Sequence, residues 1–153
     1  MPPRQLVLDT NCFIDATRDD DASARFEAFC AAAAPRLRLS SVVGAELRAG
    51  AVSNSELERL EEDVLAPYQR RGRVTVPSAS AWEALGRTLA TLVRNEGLRL
   101  EQTPRSFIFD ILIAFSCRET GAVLVSANVG DLRRIKKVFA FDYVEPFPDL
   151  SRV

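Results

Sequence analysis

The sequence contains no histidine. That absence removes the usual general base, every Ser-His-Asp or Cys-His nucleophile arrangement and the commonest ligand of zinc and iron. Cysteine is scarce: Cys12, Cys30 and Cys117 are odd in number, widely spaced and without a Cys-x-x-Cys pair. Neither a disulfide framework nor a zinc site is indicated, and the three thiols read as small buried apolar side chains. No apolar run approaches the roughly 20 residues needed to span a bilayer, and the opening Met-Pro-Pro-Arg-Gln lacks the apolar stretch of a signal peptide. A cytoplasmic protein with no membrane contact is expected. Repeats, linkers and low-complexity tracts are missing as well.

What the chain does have is length for one hydrophobic core and carboxylate in quantity. Its 153 residues, 47% apolar and 27% charged, suit a single globular domain over 1–153. With imidazole excluded, catalysis must run on other groups, and oxygen-rich sites suit hard cations such as Mg²⁺ or Mn²⁺.

The pattern alternates strand and helix. Leu6-Val7-Leu8 reads as a buried strand stopping at Asp9-Thr10-Asn11, and a helix is expected from an Asp21 cap through Ala34, closed by Pro35. Leu37–Ser40 alternates like a strand, with Ser41 placed to cap a helix through Glu46 to Gly50. A further helix is expected from Asn54 to about Arg71, ended or kinked by Pro67. Val74–Val76 makes a third strand. Ser80 and Glu83 have capping-box spacing ahead of a stripe of Trp82, Leu85, Leu89, Leu92 and Val93 that stops at Gly97. Thr103 and Pro104 read as a cap and first turn of a helix running through Asp110 to Gly121. Ala122–Val125 is a strand, Leu132–Phe139 a short basic helix, and Tyr143-Val144 a last strand. Such alternation predicts an α/β fold of βαβ units with a mostly parallel sheet covered on both faces.

Asp110 is the most informative position, because Phe107 to Phe115 is otherwise almost wholly apolar and the helix must be buried. An isolated carboxylate there costs several kcal/mol unless it is paired, neutralised or bound to metal. An arginine partner and a metal both answer that need. Asp9, Asn128 and Asp131 follow apolar strands at their carboxyl ends, where open parallel sheets place their ligand crevice. Helix capping explains Asp9 and an Asn128–Asp131 pairing equally well. Glu46 is either a solvated helix carboxylate or, beside Leu47, one held near the buried edge.

Taken in order, Leu6-Val7-Leu8-Asp9-Thr10-Asn11, Ser41-Val42-Val43 to Glu46-Leu47 and Gly50, Asp110 to Ala114, and Val123 to Asn128 with Asp131-Leu132 resemble the motifs of PIN domains, specifically VapC-type toxins. The resemblance covers essentially the whole chain. It implies a PIN-like three-layer α/β/α sandwich and a Mg²⁺- or Mn²⁺-dependent endoribonuclease that cuts structured RNA such as tRNA or rRNA. It further implies a type II toxin, inhibited by a VapB-like antitoxin and forming a homodimer. Carried over by motif, Asp9, Glu46, Asp110 and Asp131 are the catalytic, metal-holding acids for one or two ions, with Thr10, Asn11, Ser126 and Asn128 in support. Asn128 departs from relatives that have an acid there. Hydrolysis by an activated water would leave a 5′-phosphate and a 3′-hydroxyl.

RNA binding needs positive potential despite a net charge of −1. Candidates are Arg70, Arg71 and Arg73, and, beside the last acidic motif, Arg133, Arg134, Lys136 and Lys137, which equally fit a solvated helix end. An aspartyl-phosphate enzyme is disfavoured, because Asp9-Thr10-Asn11 lacks a second aspartate two residues on. A binding-only PIN module would be expected to have lost the acids, and an RNA-processing nuclease shares the same site.

Overall fold

The computed structural model of the chain describes residues 2–153. Strands β1 (Leu6–Leu8), β2 (Leu37–Ser40), β3 (Val74–Thr75), β4 (Val123–Val125) and β5 (Asp142–Val144) form one sheet in the order β3-β2-β1-β4-β5. Every pairing is parallel, so the expected mostly parallel sheet is wholly so. Leu6 pairs with Leu37 on one side and Val123 on the other, which puts β1 at the centre. Both β1 and β4 are buried along their full length, as continuous apolar runs in parallel sheets require.

Helices flank this sheet: α1 (Thr10–Asp15), α2 (Asp20–Ala33), α3 (Ser41–Gly50), α4 (Asn54–Arg59), α5 (Ala66–Arg70), α6 (Ala79–Glu96), α7 (Arg105–Thr120) and α8 (Val129–Lys136). The three-layer α/β/α arrangement implied by the sequence is the one observed. In α7 the run Ile111 to Ala114 is sealed among α6, α8, β4 and β5, and each fully buried aliphatic side chain there contributes roughly 1.5–3 kcal/mol. Among the described residues, no helix is long and apolar enough to cross a membrane.

Several helix starts differ from expectation by one to three residues. Asp19, rather than Asp21, caps α2 through the Ala22 N–H at 2.7 Å. Ser40, the last residue of β2, caps α3 in place of Ser41. Ser78, rather than Ser80, caps α6, so the expected Ser80–Glu83 box does not form. Thr103 does not cap α7, because its hydroxyl donates to the Arg99 carbonyl and Pro104 takes the cap position without a side-chain bond. The basic helix α8 begins at Val129, three residues before the expected Leu132.

Between α4 and α5 the chain stays helical but widens into a π-helical stretch, Leu60–Leu65. Pro67 explains the widening, since its ring has no N–H to give and would collide with the carbonyl four residues back in a regular α-turn. On α6, Trp82 and Val93 of the apolar helical stripe are exposed, at 57% and 39%. The inner face is instead built on Ala81, Ala84, Leu85, Thr88 and Leu92, and α6 packs against α7.

Candidate active site

In a sheet of this order, β1 feeds a connection to β2 on one side and pairs with β4 on the other, which opens a crevice beyond their carboxyl ends. Asp9 leaves β1 at that crevice and Ser126 leaves β4 there. Asp9 does cap α1, with Oδ1 accepting from the Thr10 N–H at 2.8 Å, so its capping and cleft readings are both realised. Its Oδ2 accepts from Ser126 Oγ at 2.6 Å and from Asn11 Nδ2 at 3.1 Å. Asn11 also receives the Ala127 N–H, which ties the end of β4 to the start of α1.

Two helices supply the other walls. Glu46, in the second turn of α3, accepts from the Thr10 hydroxyl at 2.8 Å. Asp110, in the second turn of α7, accepts from Asn128 Nδ2 at 2.8 Å, and the same amide donates to Asp131 at 2.9 Å. Asn128 occupies the cap position of α8, yet its side chain makes no cap bond; it bridges two acids instead. Asp9, Glu46 and Asp110 thus line one cleft of about 390 Å³, together with Thr10, Asn11 and Asn128. Asp131 stands just behind Asn128 and lines a neighbouring pocket.

Asp9 and Asp110 are 3% and 4% exposed. Burial pushes the Asp110 carboxyl up to about 8, and the charges of Asp9, Glu46 and Asp131 add to the shift against the opposing Asn128 hydrogen bond. Asp9 is also raised by burial, against hydrogen bonds from Ser126, Thr10 and Asn11. Glu46 is raised by burial and by the charge of Asp9, and held back by Thr10 and by the guanidinium of Arg105. Of the charges acting on these acids only Arg105 is positive, and it acts on Glu46 rather than on Asp9 or Asp110.

The donor set fits a hard divalent cation: it is all oxygen, carries several negative charges and has no imidazole or thiolate to favour zinc. Among the described residues, no three His, Cys, Asp or Glu side chains close into a ready-made cage. The acids face an open cleft instead, an arrangement suited to Mg²⁺, which retains water ligands and takes one or two carboxylates directly.

Arg105 and Ser106 were not singled out from the sequence. Ser106 lines the cleft one turn before Asp110, and that i to i+4 spacing was the signal available for it. Of the basic residues on and beside α8, Arg134 pairs with Glu96 at 3.3 Å and lies over the Phe107 ring at 4.8 Å. Lys136 lies over Tyr143, Lys137 reaches Glu96 at 3.9 Å, and Arg133 is exposed. Arg71 and Arg73 line a separate, apolar pocket away from the acids, and Arg73 donates to the Ala34 carbonyl.

A family model of the PIN domain matches residues 6–138. No curated protein matches the chain in sequence. Among solved structures, FitAcB from Neisseria gonorrhoeae is similar with a TM-score of 0.65 at 17% identity, covering 94% of this chain and 99% of that one. DNA-bound VapBC from Salmonella typhimurium gives 0.64 at 24%, covering 93% and 98%. VapBC2 from Rickettsia felis, bound to a promoter DNA fragment, gives 0.60 at 24%, covering 92% and 97%. At these identities the likeness is one of fold.

Proposed function

The chain belongs to the PIN domain family, and from that premise we propose that it is a divalent-metal-dependent endoribonuclease, the toxin of a VapBC-like pair. The observation that carries the reading is the facing of Asp9, Glu46 and Asp110, from three separate segments, into one cleft whose electrostatics call for a cation. Asp131 joins them through the shared Asn128 amide.

In this reading Asp9, Glu46, Asp110 and Asp131 hold one or two Mg²⁺ or Mn²⁺ ions. A bound ion supplies the Lewis acidity that activates water and neutralises a phosphodiester. The chain's own residues do the positioning. Thr10 N–H, Asn11 and Ser126 fix the plane of the Asp9 carboxylate, Thr10 Oγ1 aims Glu46, and Asn128 keeps Asp110 and Asp131 at a set separation. Ligands oriented in this way hold metal 10- to 100-fold better than unsupported ones, to order of magnitude. Arg105, at the start of α7, is a cation set beside the cleft that RNA must approach.

The antitoxin is the second partner in this reading, because FitAcB and the VapBC proteins are named as two-component assemblies. A largely apolar groove of about 850 Å³ bounded by Phe13, Ile14, Leu47, Leu60 and Val64 shares Ile14 and Glu46 with the acidic cleft, so a peptide seated there adjoins the acids. A homodimer belongs to the same reading, and sedimentation of the purified chain measures it.

The test is incubation of purified protein with total cellular RNA in Mn²⁺ or Mg²⁺, beside EDTA and Asp9→Asn controls. Discrete fragments that vanish in both controls are expected. Intact RNA under every metal condition would overturn the reading.

A further inference from the structure

The first turns of α7 and α8 form a ridge with a cavity on either side. Ser106 faces the acidic cleft while its neighbour Phe107 faces a second pocket of about 420 Å³. On α8, Asn128 faces the cleft while Asp131 faces the pocket, and the one Asn128 amide bonds Asp110 and Asp131 at 2.8 and 2.9 Å. The two cavities are therefore separated by the width of a single side-chain bridge.

Their chemistry is opposite. The cleft is walled by carboxylates, whereas the pocket sets Arg99 and Arg134 against the single carboxylate of Asp131, with the polar side chains of Gln102 and Thr103 beside them. Arg134 is held in place: its Nε bonds Glu96 and its guanidinium lies over Phe107. Only Nε is taken by that contact, so both terminal nitrogens remain for a ligand, in the fork that suits a phosphate. Among the described residues Arg99 pairs only with Glu101, and both side chains are 65% exposed, so that contact gives way readily to a stronger anion.

We propose that this pocket is the seat of the RNA nucleotide adjoining the one cut, with Arg134 and Arg99 binding its phosphate and Gln102 and Thr103 facing its ribose or base. The proposal rests on the nuclease reading above and narrows it. An RNA strand crosses the Asn128–Asp131 ridge, one phosphate in the acidic cleft and the next in the basic pocket. Of the four basic residues at α8, the pocket takes Arg134; Arg133, Lys136 and Lys137 do not line it.

The experiment is fluorescence anisotropy of a labelled single-stranded RNA dodecamer of mixed sequence, in EDTA, over a series of salt concentrations, with wild type, Arg134→Gln, Arg99→Gln and an Arg133→Gln/Lys136→Gln comparator. Cleavage of the same oligonucleotide in Mn²⁺ is followed in parallel. Removing one phosphate contact flattens the slope of log K against log salt by about 0.7 for a single strand. Both pocket variants are expected to show that change, with KM raised and kcat little altered, while the comparator keeps the wild-type slope. Should loss of the Glu96 contact unfold Arg134→Gln, the exposed Arg99→Gln carries the test. Equal flattening in the comparator and the pocket variants overturns the pocket in favour of a diffuse basic surface. A wild type that cuts while both pocket variants keep its slope overturns the pocket alone; a wild type that neither binds nor cuts overturns the nuclease reading with it.

Discussion

On the α7 wall of the cleft, Asp110 is almost wholly buried, with Asn128 as its one hydrogen-bond donor among the described residues and its carboxyl pushed up to about 8. On the α3 wall, Glu46 is half-buried, receives the Thr10 hydroxyl and has the Arg105 charge nearby. Both acids face the same space and both carboxyls are raised, but Asp110, more deeply buried and with three acids acting on it, is the heavier electrostatic burden on the fold. The difference teaches that burial, rather than proximity alone, decides which carboxylate depends on a cation. Sites that hold unfavourable charge for function leave the surrounding structure to offset it.

The largest effect follows from removing that burden. Asp110→Asn keeps an oxygen to accept from Asn128 and deletes the charge. Nuclease activity is expected to fall on the order of 10³-fold, while the metal-free fold gains roughly 1–3 kcal/mol. Thermal melts in EDTA should rise by about 2–4 °C per kcal/mol for a domain of this size. Glu46→Gln is the contrast: a smaller loss of activity, about tenfold, and stability unchanged within about 0.5 kcal/mol, because solvent screens a half-exposed side chain. Equal stabilisation by both variants would erase the distinction between the walls.

The pH dependence sharpens the same contrast. Between the ordinary value of 3.8 and the folded value of about 8, folded protein keeps a proton on Asp110 that the unfolded chain has released. The unfolded state then binds fewer protons, so unfolding free energy falls as pH rises. Stability from this group is fully present below 3.8 and lost as pH climbs through about 8. Melting temperatures measured in EDTA across that window should decline, Mg²⁺ or Mn²⁺ should restore them, and Asp110→Asn should flatten the decline. A metal-free profile that rises over the same window would contradict the assignment of the burden to Asp110.

The sequence displayed this asymmetry only in part. Asp110 was legible because a carboxylate inside Phe107–Phe115 has no local explanation, and Asp9 because it ends a buried strand. Strand positions were legible too, since parallel strands read as continuous apolar runs. Caps were less so. Around Asp19–Asp21, Ser40-Ser41 and Ser78–Ser80 several competent residues stand side by side, and the one used is fixed by where the backbone leaves its extended conformation. Asn128 read equally as a cap or as a crevice residue, and its role as a bridge was not legible because that depends on Asp110, which is 18 residues away in sequence. Trp82 and Val93 read as members of one apolar stripe because their spacing is helical, but the buried face of α6 runs through Ala81, Ala84, Leu85, Thr88 and Leu92 and leaves both of them exposed.

The hydrogen bonds behind each wall give two smaller tests. Asn128→Ala leaves the buried Asp110 without its donor and cuts its link to Asp131. Metal affinity, followed by isothermal titration calorimetry, should weaken about 10- to 100-fold, with activity falling in step.

Thr10→Val is the counterpart on the other wall and should be the mildest change. Valine keeps the shape of threonine, so packing in this buried position is retained and only the hydroxyl bond to Glu46 is lost. Glu46 can take that bond from water instead, because it borders the open cleft. Activity should fall by only about two- to fivefold, in line with the net worth of roughly 0.5–1 kcal/mol for a hydrogen bond that solvent can replace. Because Asp9 keeps its Thr10 N–H, Asn11 and Ser126 donors, the loss should appear as a weaker hold on Glu46 alone, and combining Thr10→Val with Glu46→Gln should cost no more than Glu46→Gln by itself. An additive double variant would show that Thr10 acts through Asp9, and would make the first strand, rather than α3, the partner against which α7 is set.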